Sequence, residues 1–162
     1  MNRFRSLSIA AFFVAATPIG APVIAAESEA NGSKPVITVY KSPSCGCCDD
    51  WVDHIENNGF KARVEDTNRI NAIKQENGLP REMASCHTAL IDGYVIEGHV
   101  PAEDIHAFLD AEERAFGEDT LGLAVPRMPH GSPGMETGRQ DDYKVFAFTA
   151  DGETDVFQSY SF

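Results

Sequence analysis

The stretch VITVYKSPSCGCCDDWVDHIENNGF, residues 36–60, decides the architecture. VITVY (36–40) is β-branched and apolar, as a buried strand is, and SPSCGCC ends it with Pro43 and Gly46 at a turn. Beyond the turn Cys48, Trp51, Val52 and Ile55 recur at i, i+3, i+4 and i+7, which makes one apolar helix face. Asp50, Asp53 and Asn57 fall opposite, and Gly59 stops the helix. Asp49 and Asp50 bring negative charge to its first turn, where it is favourable. Cys48 is therefore expected to point inward, under the turn.

Downstream, FKARV (60–64) alternates like a half-exposed strand, and Ile70 and Ile73 mark a short helix closed by Gly78 and Pro80. TALI (88–91) and YVI (94–96) flank Asp92-Gly93, a two-residue hairpin signal. A third helix starts near Pro101 with Ile105, Phe108 and Leu109 inward. The order β, α, β, α, β, β, α predicts an α/β, thioredoxin-like layered fold whose first two strands are joined by a right-handed crossover. KVFAF (144–148) and TDVFQSY (154–160) around Asp151-Gly152 add a C-terminal β-hairpin as an appendage. The Gly- and Pro-rich segment 116–142 between them reads as a long loop, of the kind that is functional or disordered.

Upstream, MNRFR is a basic start, LSIAAFFVAATPIG an apolar stretch short for a membrane span, and PVIAAES a run of small residues. Residues 1–26 are thus expected to be a secretory signal peptide cut after Ala25 or Ala26, with an uncleaved anchor as the alternative. Residues 27–34 form a polar flexible arm, and 35–162 a single domain. Cleavage leaves 11 basic against 25 acidic residues, a charge near −14, and no membrane contact is then expected. With no basic face to release counterions, nucleic acid is not a partner. The chain has no G-x-S-x-G, no H-E-x-x-H and no phosphate-cradling glycine loop, which argues against hydrolase chemistry.

Three of the four cysteines crowd into positions 45–48. Two structural disulfides are the plain expectation for an exported domain, yet Cys47 and Cys48 are adjacent, and short loops constrain an unfolded chain least. Cys45 and Cys48 form a C-x-x-C at a strand-to-helix turn, a thiol-disulfide oxidoreductase arrangement in which the helix terminus stabilises a thiolate. Cys47 would compete in that exchange, and no proline precedes TALI. The third reading is metal binding, because crowded soft thiolates favour Cu(I), with Zn(II) behind it, and can bridge several ions. In the expected layout the ASCHT loop lies beside the turn, so Cys86 and His87 would join the cluster.

YKSPSCGCCDDWVDHIENNGF, SCHTALIDGYVIEGHVPAEDI and GLAVPRMPHGSPGME resemble the CopG-type periplasmic copper-resistance family, over most of the chain from about residue 36. The resemblance implies a thioredoxin-like periplasmic protein of copper homeostasis and resistance. It implies a copper cluster on Cys45, Cys47, Cys48 and Cys86, one that can be multinuclear. It also suggests interconversion of Cu(I) and Cu(II) before export, hence a copper oxidoreductase, with a periplasmic copper chaperone or exporter as partner.

Second-tier candidates complete the set. Met128, His130 and Met135 offer thioether and imidazole in the long loop, though methionine also fills gaps in ordinary packing. His87 follows a ligand cysteine, but strand alternation would turn it to the opposite face. His54 reads as solvated, as does His106, Met83 as core or ligand, and His99 receives no role.

Overall fold

The computed structural model describes residues 33–162. The expected signal peptide, and the arm up to residue 32, lie outside the described residues. Among the described residues no helix is long and apolar enough to cross a membrane.

β1 (Val36–Lys41) buries Ile37 and Val39 completely and turns into α1 (Gly46–Asn57), whose buried face is Cys48, Trp51, Val52 and Ile55, as the periodicity required. β2 (Lys61–Asp66) returns parallel to β1 as an exposed edge strand. Buried Lys41 joins the three elements, with Nζ 2.8 Å from Asp49 of α1 and 3.0 Å from Asp66 of β2. α2 (Ile70–Glu76) and a 3-10 turn (Arg81–Met83) lead to β3 (Thr88–Ile91) and β4 (Tyr94–Glu97). β3 is antiparallel to both β1 and β4. The β3–β4 turn holds Asp92 and Gly93 at positive φ, which Asp and Gly tolerate best.

α3 (Ala102–Asp110) packs Ala102, Ile105 and Phe108 inward. Two histidines expected to be solvated are structural here. His54 Nε2 accepts the Ala102 N–H (3.1 Å) at the start of α3, and His106 Nε2 donates to the Asn58 carbonyl (2.8 Å) while stacking on Phe60. Both compensate otherwise orphaned groups at helix ends.

The expected loop 116–142 needs correction. It opens with a 3-10 turn (Gly117–Asp119) and then β5 (Thr120–Ala124), parallel to β4 and antiparallel to β6 (Tyr143–Thr149). The physical reason lies in Gly122, which reads as loop punctuation but serves a close strand approach. A Cβ there would sit 1.7 Å from the Val95 carbonyl oxygen. The irregular segment is therefore 125–142. β7 (Thr154–Tyr160) pairs antiparallel with β6 around Asp151-Gly152. Through β5 the hairpin continues the main sheet instead of hanging from it.

Among the described residues the result is a mixed α/β fold with a seven-stranded sheet in the order β2-β1-β3-β4-β5-β6-β7 and three helices. Alternation along the strands sends Ile96, Leu123 and Ala147 into the larger core beneath α1 and α3. Val95, Ala124 and Phe148 go to a smaller one with Leu79 and Met83. Met83 is thus a core residue.

Candidate metal centre

The β1-to-α1 turn presents its cysteines in two directions. The Cys45 carbonyl accepts the N–H groups of Cys48 (3.2 Å) and Asp49 (3.3 Å), so α1 begins at once and its first turn points Cys48 into the core. Cys45 and Cys47 stay half-buried at the rim, their sulfurs 3.6 Å apart. Cys45 and Cys48 are joined in a disulfide, and Cys47 and Cys86 are free.

Cys86 arrives from the turn between the 3-10 segment and β3. The sulfurs of Cys45, Cys47, Cys48 and Cys86 all lie within 4.8 Å of one another. A tetrahedral ion with metal–sulfur bonds of about 2.3 Å separates its sulfurs by roughly 3.8 Å, close to the 3.6 Å between Cys45 and Cys47, and the bonded Cys45 and Cys48 sulfurs become separate soft donors only once their disulfide is reduced.

Two imidazoles complete the Cys86 side. Cys86 Sγ is 3.2 Å from His87 Nδ1 and 3.0 Å from His99 Nε2, and the three side chains form a second group within 4.8 Å. Alternation does not separate Cys86 from His87, because both precede β3, which starts at Thr88. His99 Nδ1 donates to the Pro133 carbonyl at 2.7 Å, which leaves its Nε2 lone pair facing the sulfur. His87 is fully buried against Trp51, with ring centroids 4.3 Å apart, and its Nε2 has no hydrogen-bond partner. Trp51 is itself fixed by its indole N–H to the Val100 carbonyl (2.9 Å).

Burial sets the protonation states. It pushes the Cys86 thiol up to about 12, helped by the neighbouring Cys47. A cation that replaces the thiol proton would relieve that penalty. Burial holds His87 well below the ordinary imidazole value, with His99 and Lys74 acting in the same direction. His99 is lowered by burial as well, against the opposing effect of the Pro133 carbonyl. Both imidazoles are thus neutral near pH 7, the form that ligates metals.

Segment 125–142 packs beside this centre at Pro133 and Gly134. Gly134 lies so close to α1 that a Cβ would be 2.7 Å from both the Cys47 carbonyl oxygen and the Trp51 nitrogen. Met135, the next residue, is half-buried. His130 joins neither metal-capable group, and its Nδ1 is 2.7 Å from the Thr137 hydroxyl. Met128 is 48% exposed and lines a separate cleft of about 480 Å³ with Glu82, Arg127, Lys144 and Phe146. His99 is the member that sequence reading missed. Its signal was the Asp92-Gly93 turn, which pairs Thr88 with Glu97 and so carries residue 99 opposite residue 86.

Residues 83–135 match a family described as a protein of unknown function, DUF411. Two solved structures of a copper resistance protein, CopG, are similar to the chain at 46% identity. Its Form 2 has a TM-score of 0.72 and covers 79% of this chain and 99% of its own. Its Form 1 has a TM-score of 0.71, with 78% and 98% covered. No curated protein matches the chain.

Proposed function

This chain belongs to the CopG copper-resistance family, and from that premise we propose that it is an exported, periplasmic copper-binding protein of thioredoxin-like fold that serves copper resistance. In this reading Cys45, Cys47, Cys48 and Cys86 hold Cu(I), ahead of Zn(II), in a multi-thiolate site whose crowded thiolates can bridge more than one ion. His87 and His99 act as further ligands on the Cys86 side. The observation that carries the proposal is the approach of four sulfurs from two separate turns to within 4.8 Å. One three-residue disulfide at the same place adds little to stability by chain entropy, which weighs against a purely structural module.

The disulfide makes the proposal redox-dependent. Loading all four sulfurs requires the Cys45–Cys48 bond to be opened by two electrons and two protons, for which a protein dithiol is the chemical class of donor. Copper ions entering as Cu(I) then displace thiol protons. Interconversion of Cu(I) and Cu(II) at the centre belongs to the same proposal, as do a copper chaperone or exporter as partner and Met128, His130 and Met135 as an entry path. The test is copper analysis of protein reduced and loaded without oxygen, with excess metal removed by a Cu(I) chelator. Retained copper supports the reading, and a metal-free protein refutes it.

The Cys45–Cys48 disulfide supports a second reading, a thiol-disulfide oxidoreductase. Under it Cys45→Ser abolishes disulfide exchange, whereas Cys47→Ser leaves exchange unaffected.

A further inference from the structure

We propose that the buried Lys74–Glu97 pair is a positioning device that sets the Cys86 thiol on the metal centre. Glu97 of β4 is completely buried, and Lys74 of α2 is 7% exposed. Lys74 Nζ bonds Glu97 Oε1 and lies 3.0 Å from the Thr88 hydroxyl. The Thr88 hydroxyl in turn donates to Glu97 Oε2 at 2.7 Å, and the Ser85 backbone N–H donates to Oε1 at 2.6 Å. One carboxylate therefore grips the residue before and the residue after the Cys86-His87 dipeptide.

The rest of the turn is held from the same strand. Gly98 N–H donates to the His87 carbonyl at 3.1 Å, and Gly98, at φ +70°, has no room for a side chain, since a Cβ would lie 2.5 Å from Ser85 Oγ. Two residues beyond Glu97 is His99, whose Nε2 meets Cys86 Sγ. Glu97 thus ties the Cys86 turn to the strand that carries the facing imidazole.

Burying two charges is costly, and an apolar pair of similar volume would often be as stable or more so. An apolar pair cannot accept the Ser85 N–H and the Thr88 O–H together. The ion pair is accordingly assigned to geometry: Glu97 supplies the acceptors, and Lys74 balances its charge and fixes its rotamer. The inference rests on the reading of Cys86 as a copper ligand.

The test begins without metal. In a Cys45→Ser/Cys48→Ser background only Cys47 and Cys86 remain, and equilibration with reduced and oxidised glutathione measures their effective concentration toward each other. Lys74→Met/Glu97→Ala should lower it about tenfold, the scale of one lost charge-assisted hydrogen bond. Lys74→Met/Glu97→Gln should stay within about twofold of the unaltered network, because the amide can accept from Ser85 and donate to Thr88. Thr88→Val, a milder change, should lower it about threefold and decides the matter if the alanine variant does not fold. Unchanged values in the alanine and valine variants overturn the proposal. So does an equal loss in the alanine and glutamine variants, which would assign the effect to charge.

The second measurement counts copper–sulfur bonds by X-ray absorption in the Cu(I)-loaded chain with all four cysteines present. The alanine variant should lose the Cys86 sulfur, and the glutamine variant should keep it. Should the unaltered chain retain no copper while the thiol measurement behaves as expected, the copper reading fails and the positioning role stands.

Discussion

Gly134→Ala tests whether segment 125–142 is a lid on the candidate metal centre. Gly134 has φ +80°, where an L side chain costs about 1–2 kcal/mol. Its added Cβ would meet the Cys47 carbonyl oxygen and the Trp51 nitrogen at 2.7 Å and Trp51 Cα at 3.1 Å, all backbone of α1 that cannot swing aside. Reaching an ordinary contact of 3.4 Å from 2.7 Å requires the segment to retreat by about 0.7 Å. The preceding residue, Pro133, accepts the His99 Nδ1–H at 2.7 Å, and the same retreat opens that bond to about 3.4 Å, beyond good hydrogen-bond range. Adding about 1 kcal/mol for the lost bond gives a destabilisation of about 2–3 kcal/mol, or roughly 6–12 °C in the Tm of the apo protein. His99 also loses the partner that aims Nε2 at Cys86, a kind of loss that weakens metal affinity by about 10–100-fold. Thermal unfolding followed by circular dichroism reads the first effect, and stopped-flow transfer of Cu(I) to a chelator reads the second. A lowered Tm with unchanged copper transfer would refute the lid and leave the segment a spacer. If neither quantity moves, the close approach of Gly134 to α1 is wrong.

Cys47→Ser should abolish copper retention while shifting apo stability by no more than about 0.5 kcal/mol, since Cys47 is a half-buried residue at the rim of the first turn of α1; retained copper would count against the multi-thiolate site. Protein oxidised at Cys45–Cys48 should bind less Cu(I) than reduced protein, because two of the four sulfurs are withheld, and equal stoichiometry by metal analysis would show that the disulfide pair is no part of the site. Asp104, pushed up to about 6 chiefly by burial and hydrogen-bonded to the Tyr160 hydroxyl at 2.9 Å, sets a pH dependence. Its folded value lies above its unfolded one of about 3.9, so the native state binds the proton more tightly. Its contribution to stability is complete below about pH 4 and is lost as pH rises through about 6. Asp104→Asn should flatten this fall in a series of denaturant melts, and an unchanged profile would place the titration elsewhere.

The first half of the fold was legible because each element carried an undiluted period. Cys48, Trp51, Val52 and Ile55 read as one face and are one face. Asp92-Gly93 read as a hairpin turn and is one. β5 escaped because its only strong sign, Leu121 and Leu123 around Gly122, is the pattern of a loop unless the neighbouring strand is known. The glycine is there for Val95, a residue distant in sequence. Lys74 escaped for a related reason: a lysine on a short helix reads as solvated, and only the fold reveals Glu97 beneath it.

The site shows the same division between local and long-range information. The Cys45, Cys47 and Cys48 turn is local and announces itself by spacing. Cys86 could be placed beside it only by assuming a layered fold, and His87 stayed a second-tier candidate because strand alternation counts against it, although alternation does not yet apply one residue before the strand begins. His99 needed one further step. In a two-residue hairpin every pair across the turn has the same sum of residue numbers, so Ile91 opposite Tyr94 places Thr88 opposite Glu97 and residue 86 opposite residue 99. That arithmetic depends on the Asp92-Gly93 turn alone. It extends past the last paired residues to the Cys86–His99 contact of 3.0 Å, where the strands end and the candidate metal-ligating side chains begin. The hairpin that helps build the sheet therefore also delivers one thiol and one imidazole to the cysteine turn. Lengthening it by a single inserted residue after Gly93 should shift Cys86 out of register with His99, while Cys45 before α1 and Cys47 and Cys48 in its first turn stay in place. Such a variant should keep copper with fewer sulfur ligands by X-ray absorption, and an unaltered sulfur count would show that Cys86 is not held through the hairpin.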